Sequence, residues 1–389
     1  MSNNEKIPKI RFKGFTEDWE QRKLNEFCNY NTSNLSSSDT DKNGIYDLYD
    51  ANTVIGKTNK NIQKSKYITI IKDGSGVGRV RLMPENTAFT GTMGALINNN
   101  SDIYFLYCIL SKMDFTKEIT GATIPHVYFS TYGNSEHNIP ILEEQSRIGT
   151  CFTQLDNLIT LHQRKCDKLI NVKKSMLEKM FPQNDEKIPK IRFKGFTEDW
   201  EQRKLGDIGN TFTGLSGKTK EDFGHGDAKF VTYMNVFSNP ISNFKQVESI
   251  EIDSKQNEIK YGDIFFTTSS ETPEEVGMSS IWLENKGNYY LNSFCFGFRP
   301  SLKFDPYFAA YMLRTSNVRN KITLLAQGIS RYNISKIQMM NIEVPFPKYS
   351  EQIKLGKLFV EIDNLITLHQ RKLEMLKNVK KSMLDKMFV

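Results

Sequence analysis

The sequence has few cysteines and no long apolar run. Its 389 residues include five cysteines, and none of them form the close pairs typical of zinc sites and redox motifs. Thiols scattered in this way favour a reducing compartment and argue against a disulfide framework. No run of 18 apolar residues occurs, so we expect no membrane span. The N-terminus lacks the apolar segment of a secretory signal, and we therefore predict a cytoplasmic protein.

Motifs for chemistry on nucleotides are also missing. The glycine-rich stretch 74–78 is not a dinucleotide-binding fingerprint, because Arg79 stands where its last glycine is required. Residues 217–219 resemble the end of a P-loop, but Phe212 replaces its first glycine. Residues 239–241 lack the second proline of an amino-methyltransferase loop, and the chain has no Pro-Asp pair of a nuclease motif. The histidines lack metal-ligand spacing. We predict no catalytic residue, no metal site and no cofactor bound by this chain.

The composition is that of a folded protein with a moderate positive charge. Charged residues make up 25% of the chain, hydrophobic residues 38% and aromatic residues 12%. These proportions are typical of globular domains, and the length suffices for two or three of them. A net charge of +7 permits nucleic-acid binding. An ordinary basic enzyme would carry the same charge, so composition alone leaves both classes open.

Two internal repeats divide the chain into halves. Residues 5–24 recur letter for letter as residues 186–205, and we call each copy an opening segment. Residues 143–181 recur with substitutions as residues 350–388. Between the repeats lie two bodies, residues 25–120 and 206–327, which show no evident kinship in sequence. The halves align again without gaps from Gly121 and Gly328 onward.

The second repeat predicts two long helices. Apolar residues recur there in steps of three and four, which is a heptad seam that drifts near its end. The first seam comprises Ile148, Phe152, Leu155, Ile159, His162, Cys166, Leu169, Val172, Met176 and Met180. The second comprises Leu355, Phe359, Ile362, Ile366, His369, Leu373, Leu376, Val379, Met383 and Met387. Each seam needs a partner, and the other copy supplies one. We interpret His162 and His369 as a buried polar pair that fixes the register.

The opening segments are predicted to be structural frames that support the bodies. We interpret each opening segment as a strand and turn that seats a body on its helix; the alternative is phosphate contact by Lys9, Arg11 and Lys13. Each body is predicted to be mixed α/β. Strands are expected at residues 67–71, 79–83, 261–268, 281–284 and 294–299, and helices at residues 102–113 and 305–313, each beginning at an aspartate.

Two polar loops, residues 121–130 and 328–335, stand at equal positions just before the long helices. Their hydroxyl, imidazole, amide and guanidinium groups suit contact with phosphates and base edges. A hinge that docks each body on its helix is the alternative. Together with residues around two predicted strands, the candidate DNA-binding residues are Lys72, Arg79, Arg81, Thr123, His126, Tyr128 and Ser130 in the first half, and Thr268, Ser269, Ser330, Arg331, Tyr332 and Asn333 in the second.

The two repeats together carry a resemblance. Each half opens with P-K-I-R-F-x-G-F-x-x-x-W-E, at residues 8–20 and 189–201. Each half closes with E-Q-x-x-[IL]-G followed by [LI]-D-x-L-I, at residues 144–159 and 351–366. This pattern, which spans the whole chain, resembles the specificity subunit of a Type I restriction–modification system.

The resemblance implies a mixed α/β fold in which two target recognition domains are separated by two long antiparallel helices, with pseudo-two-fold symmetry. The recognition domains would be residues 1–142 and 183–349, and the spacer helices residues 143–182 and 350–389. The family would read an asymmetric, bipartite site on double-stranded DNA. It would bind two methyltransferase and two restriction/translocase subunits, and S-adenosylmethionine, ATP and Mg²⁺ would belong to those partners. No membrane partner is implied.

Three other functions remain open from the residues alone. A standalone bipartite DNA-binding regulator would bind its site without a partner. An enzyme with an unrecognised site would act on DNA by itself. A scaffold unrelated to DNA would show no salt-dependent DNA binding. Purification together with whatever accompanies the chain in its host would separate these functions.

Overall fold

The structure, a computed structural model, describes residues 7–121, 123–184 and 186–388. These residues form two compact units. The first unit comprises Met1–Arg164 and Gln370–Val389, and the second comprises Lys165–His369. Each unit therefore holds one body and a part of each long helix. The domain boundaries expected from the sequence stay a prediction, and Asp185 of the junction after the first helix lies outside the described residues.

The first half of the chain contains nine strands and four helices within the described residues. The strands are β1 (Glu20–Lys23), β2 (Cys28–Thr32), β3 (Tyr46–Tyr49), β4 (Val54–Thr58), β5 (Tyr67–Ile71), β6 (Val80–Met83), β7 (Ala88–Phe89), β8 (Met93–Asn98) and β9 (Glu136–Ile139). The helices are α1 (Leu24–Phe27), α2 (Ile103–Lys112), α3 (Phe129–Tyr132) and α4 (Leu142–Met180).

The second half adds eleven strands and six helices over its described part. The strands are β10 (Glu201–Lys204), β11 (Gly209–Thr213), β12 (Phe223–Val231), β13 (Val247–Ile250), β14 (Ile264–Thr267), β15 (Ser269–Ser270), β16 (Ser279–Ile281), β17 (Tyr289–Leu291), β18 (Cys295–Pro300), β19 (Tyr332–Asn333) and β20 (Glu343–Phe346). The helices are α5 (Leu205–Ile208), α6 (Tyr233–Ser238), α7 (Pro306–Met312), α8 (Ser316–Thr323), α9 (Lys336–Met340) and α10 (Tyr349–Met387).

The first body consists of two sheets. Four antiparallel strands run in the order β2-β8-β5-β6, and three strands run in the order β4-β3-β7, with β3 and β7 parallel. Thr69 of β5 stands between Ala95 and Arg81 of its neighbours. All five residues of β5 are buried. The predicted strand at residues 67–71 is therefore confirmed, and its continuous apolar character follows from burial on both faces.

The second body has the same topology as the first. Its strands run in the orders β11-β18-β14-β16 and β13-β12-β17, with β12 and β17 parallel. The kinship that is not evident in the two sequences is therefore present in the fold. The same burial pattern can be met by many apolar side chains, so topology persists where the letters differ. Helix α6, inserted between β12 and β13, accounts for part of the extra length.

Two aspartates begin the predicted body helices. The Asp102 carboxylate accepts from the backbone N–H groups of Tyr104 and Phe105 at 3.0 and 2.9 Å. Asp305 accepts from the N–H of Phe308 at 2.8 Å. Both helices are confirmed with N-caps of the expected kind. The strand expected at residues 281–284 is instead β16, which ends at Ile281.

In the first unit, the opening segment joins the two long helices. Strand β1 pairs with β9, which directly precedes α4. The Ile10 N–H donates to the Lys386 carbonyl at 3.0 Å, at the end of α10. Arg11 donates two hydrogen bonds, 2.7 and 2.8 Å long, to the buried carboxylate of Glu144 near the start of α4. The Arg11 guanidinium is thereby held in the frame by Glu144, and phosphate contact by Lys9, Arg11 and Lys13 stays an untested alternative.

The second opening segment makes the same contacts inside the second unit. Strand β10 pairs with β20. The Ile191 N–H donates to the Lys179 carbonyl at 2.8 Å. Arg192 bonds to Glu351 at 2.7 and 2.8 Å. The identical letters thus perform an identical structural task, which confirms the interpretation of the segment as a frame.

An aromatic cluster packs each opening segment against the long helices. In the first unit Trp19 packs edge-on against Phe105 and Phe388, with ring centroids 6.0 and 6.3 Å apart. Phe388 also meets Phe152 of α4 at 5.9 Å. The second unit repeats the cluster with Trp200, Phe308, Phe181 and Phe359.

The long helices each have 39 residues and run antiparallel. In the first unit Phe152, early in α4, meets Phe388, just after α10. In the second unit Phe359, early in α10, meets Phe181, just after α4. The antiparallel arrangement expected from the repeat is confirmed. No helix among the described residues is both long enough and apolar enough to cross a membrane.

The seam does not drift at its end. Val172 and Val379 are 39% and 40% exposed, so their assignment to the seam is wrong. The heptad continues instead through Lys173 and Lys380, which are half-buried. Lys173 Nζ lies 2.6 and 2.8 Å from the two carboxylate oxygens of Asp363. Lys380 Nζ lies 2.5 Å from Asp156 Oδ1. Each lysine is accommodated because an aspartate on the facing helix neutralises it.

The other seam positions differ in how far their side chains are buried. Ile362 and Ile366 are buried, as are Ile148, Phe152, Cys166, Met180, Leu355, Phe359, Leu373 and Met387. The half-buried positions are Leu155, Ile159, His162, Leu169, Met176, His369, Leu376 and Met383. That the two histidines fix the register stays a prediction.

Candidate nucleic-acid interface

In the first unit, the polar loop bonds to the chain that leaves β5. The Val127 N–H donates to the Lys72 carbonyl at 3.0 Å. Thr120 and His126 exchange two backbone hydrogen bonds of 2.9 and 2.8 Å, which close the loop. The His126 Nδ1 atom lies 2.7 Å from Asp73 Oδ1. These contacts bring Lys72, Asp73 and His126 together beyond the end of one sheet strand.

The second unit builds the same arrangement with other side chains. The Ile334 N–H donates to the Thr268 carbonyl at 3.0 Å, beyond the end of β14. Gln327 and Asn333 exchange backbone hydrogen bonds of 2.9 and 2.8 Å. Ser269 stands opposite Asn333 in the short ladder of β15 and β19. The sequence alignment from residue 121 onward thus corresponds to matching backbone contacts in the two units.

A glycine begins each polar loop for a steric reason. Gly121 and Gly328 have φ angles of +93° and +145°, which favour glycine. A Cβ atom would lie 2.3 Å from the Ile124 carbonyl oxygen at Gly121, and 2.0 Å from the Arg331 oxygen at Gly328. Any side chain would push the loop open at this point. The two glycines therefore fix how the following polar residues are presented.

Several predicted residues of the first unit are accessible. Tyr128 is 54% exposed, and its ring lies nearly parallel to that of His126 with centroids 6.1 Å apart. Thr123 and Ser130 are also exposed. Lys72 is half-buried. An imidazole, a phenol, an ammonium and two hydroxyls thus stand near one another along one loop and the strand end that it contacts.

Two candidate DNA-binding arginines of this unit, Arg79 and Arg81, contact the chain beside β3. Arg79 donates to the Ala51 carbonyl and, at 2.9 Å, to Asn52 Oδ1. The Arg81 guanidinium lies 5.6 Å from the centre of the Tyr49 ring. Arg79 remains an exposed residue. Its bonds set the direction of the guanidinium without burying it.

A cleft of about 700 Å³ lies beside this arginine. It is lined by the glycine-rich turn that includes Asp73, by Asn52 and Arg79, and by Ser36 before a short 3₁₀ turn. Sequence reasoning missed Ser36, Asn52 and Asp73. The available signal was weak: each is a turn-forming residue next to glycine, serine or threonine, and such residues are common in any loop.

Some of the predicted residues of the second unit are hydrogen-bonded or buried, and others are exposed. The Thr268 hydroxyl donates to the Phe294 carbonyl at 2.8 Å. Ser269 is buried, so its side chain is poorly placed for direct contact. Ser330, Arg331 and Asn333 are exposed, and Tyr332 is half-buried. The accessible donors of this unit therefore lie on the polar loop rather than on the strand end.

The described residues contain no group of three histidine, cysteine or acidic side chains able to hold a metal ion. The geometry is that of a binding surface built on loops. A family model for the Type I restriction modification DNA specificity domain matches residues 16–171 and again residues 197–378. The chain belongs to this family. It carries two DNA specificity domains, and the family is generally non-catalytic.

Named relatives agree with this membership. Over 401 residues the chain is 26% identical to the Type I restriction enzyme MjaVIII specificity subunit of Methanocaldococcus jannaschii, an alignment that covers 95% of this chain and 92% of that one. The fold is similar to the S subunit of the Type I restriction–modification system from M. genitalium, with 18% identity, a TM-score of 0.61, and coverage of 98% and 99%. A chain solved in work on complex assembly of the type I R-M system gives 14% identity, a TM-score of 0.51, and coverage of 95% and 97%.

Proposed function

We propose that this specificity protein reads an asymmetric, bipartite site on double-stranded DNA, one half with each unit. The observation that carries the proposal is that one backbone arrangement is built twice with different side chains. Lys72 and His126 occupy it in the first unit, and Thr268 and Asn333 occupy it in the second. The same backbone arrangement with different hydrogen-bonding side chains would recognise two different half-sites.

The side chains of each unit suit different contacts. In the first unit Lys72 and Arg79 provide positive charge, which favours phosphates and the acceptor edge of guanine. In the second unit the exposed amide of Asn333 can pair with adenine, and Arg331 can meet a phosphate or guanine. The net charge of +7 adds a sequence-independent attraction that weakens as salt rises.

We further propose that two methyltransferase subunits and two restriction/translocase subunits assemble on this chain. Repeated exposed leucines support the proposal. Leu158 and Leu161 on α4 are 43% and 45% exposed, and Leu365 and Leu368 on α10 are each 46% exposed. Equal apolar patches in the two units suit two copies of one partner. S-adenosylmethionine, ATP and Mg²⁺ would act in those partners, and this chain would only direct them.

Mapping methylated sites in cells tests the reading role. His126→Ala should relax base preference in one half of the target, and Asn333→Ala should relax it in the other. Each lost base contact is worth about 1–3 kcal/mol of discrimination. Exchange of residues 25–120 for a relative's body should replace one half-site completely. A variant that altered both halves, or neither, would contradict the assignment of one half-site to each unit.

Co-purification tests the partner role. Leu158→Glu and Leu365→Glu should each reduce the amount of methyltransferase subunit bound, because a carboxylate opposes burial of the patch. A matched control is Lys174→Glu, which changes charge on α4 without touching a leucine. If the unmodified chain binds its site specifically and never co-purifies with a partner, the standalone regulator is the correct function.

A further inference from the structure

Two arginines of the second unit bond only to backbone carbonyls. Arg319 donates to the carbonyls of Gly277 at 2.7 Å, Glu274 at 2.8 Å and Val276 at 2.6 Å. Burial lowers its pKa to about 10. Within the described part of the chain, no carboxylate forms an ion pair with this guanidinium.

Arg314, five residues earlier in the turn between α7 and α8, behaves in the same way. It donates to the Ser279 carbonyl at 2.8 Å and to the carbonyls of Val236, Phe237 and Asn239 at 2.9, 3.0 and 3.0 Å. The last three carbonyls close the C-terminal end of α6. Burial lowers the pKa of Arg314 to about 10 as well.

A half-buried guanidinium without a carboxylate partner is an expensive way to stabilise the interior of a domain. Apolar side chains of similar volume would stabilise the same contacts at lower cost in desolvation. What arginine adds is geometry, since its planar fork fixes several acceptors in one plane. The backbone segments held by Arg314 and Arg319 therefore have their positions defined more sharply than packing alone would define them.

The held segments flank the proposed reading edge of the second unit. The turn with Glu274 and Gly277 directly follows β15. Helix α6 also contacts β15, because the Tyr233 hydroxyl donates to the Ser269 carbonyl at 2.7 Å. Strand β15 in turn pairs with β19, which carries Asn333. Hydrogen bonds and short stretches of backbone thus connect the two arginines with the polar loop.

The first unit supports its corresponding turn differently. There the glycine-rich turn after β5 is short, and Arg79 at its end bonds to Ala51 and Asn52. The first body also has no helix between β3 and β4. Support by these two arginines is therefore specific to the second unit. There the turn is followed by β16 and lies against α8.

We propose that Arg319 is a positioning residue for recognition of the second half-site, and that Arg314 assists it through α6. Arg319 holds the turn after β15, so that β15 and its partner β19 present Asn333 in one geometry. The proposal rests on the proposed function of the second unit. It assigns specificity to a side chain that does not touch DNA.

The test uses the full chain with its methyltransferase partner and maps methylated sites in cells. Arg319→Gln should lower discrimination at one or more base pairs of the second half-site by about tenfold, the scale of one lost base contact. The first half-site should be unchanged. Arg319→Lys, which keeps charge but loses the fork, should give an intermediate loss. Thermal unfolding of each variant is measured alongside.

Two further variants keep the outcomes distinct. Gly277→Ala disturbs the same turn without removing the arginine, since a Cβ there would lie 2.7 Å from Ile322 Cγ2 at a φ of +64°. It should relax the second half-site even if Arg319→Gln does not fold. Unchanged discrimination in every folded variant, or equal losses in both half-sites, would overturn the proposal. If Asn333→Ala also leaves the second half-site intact, the proposed reading site itself is wrong.

Discussion

The Tyr311 hydroxyl donates a 2.7 Å hydrogen bond to Asp363, the aspartate that also pairs with Lys173. Tyr311 is the sixth residue after the cap of α7. The sixth residue after the cap of α2 is Cys108, which lies beside Asp156 on a cavity of about 200 Å³. One unit therefore fills this place with a phenol, and the other leaves it partly empty.

Removal of this hydroxyl should weaken the second unit. Tyr311→Phe leaves the ring in place but deletes the bond to Asp363, so we expect a loss of about 1 kcal/mol in the free energy of unfolding. Urea denaturation measures the change. The converse variant, Cys108→Tyr, should fill the cavity of the first unit and be neutral or stabilising. If Tyr311→Phe unfolds at the same urea concentration as the parent, the hydrogen bond contributes nothing.

The charge pairs in the seam should be coupled. Lys173→Asp places two carboxylates together and should destabilise the second unit. Adding Asp363→Lys should restore most of the loss. A double-mutant cycle is expected to give a coupling energy of about 1 kcal/mol, since both side chains are partly shielded from water. The Lys380 and Asp156 pair provides a second, independent cycle. Strictly additive effects would show that the pairs do not interact.

The bonds between opening segments and helices should be among the costliest to break. Arg11→Met leaves the carboxylate of Glu144 buried without its partner, so we expect a loss of about 3–5 kcal/mol. Arg192→Met should cost a similar amount in the second unit. The control is Arg147→Met, whose pair with Glu143 is exposed and should matter by less than about 0.5 kcal/mol. If Arg11→Met and Arg147→Met lower the free energy of unfolding equally in denaturant titrations, burial of the Glu144 carboxylate does not strengthen its ion pair.

Burial lowers the pKa of His137 to about 4, against 6.5 when unfolded. Below pH 6.5 the unfolded chain therefore binds a proton that the folded chain refuses. The stability present above this pH should decline as pH falls towards 4, by up to about 3 kcal/mol. His137→Gln should remove this part of the pH dependence. Parallel stability curves for parent and variant between pH 7 and 4 would contradict a half-buried, neutral imidazole in the folded chain.

Helix length should set the gap between the half-sites. Because the seam is a regular heptad, seven residues inserted at matching places in α4 and α10 preserve its phase and lengthen each helix by about 10 Å. The methylated sites should then show a gap longer by about three base pairs, at roughly 3.4 Å per pair, with both half-sites unchanged. A four-residue insertion breaks the phase and serves as the control. Retained activity with an unchanged gap would mean that helix length does not set the distance between the half-sites.

The sequence by itself determined the local structure and the repeats. The seam period gave the two helices, and Asp102 and Asp305 marked the starts of α2 and α7, because caps and helical period depend on neighbours along the chain. The loops that begin at Gly121 and Gly328 could also be found from sequence, since glycine at equal positions indicates a shared backbone requirement.

Only the tertiary structure decided which distant residues meet. That Lys173 and Lys380 belong to the seam could not be read from an apolar pattern, because their aspartate partners lie on the other helix. The kinship of the two bodies was hidden because a buried strand constrains apolar character and not identity. The backbone contacts of Arg319 join segments more than 40 residues apart in sequence. Such contacts are set by packing in three dimensions, where spacing along the chain carries no signal.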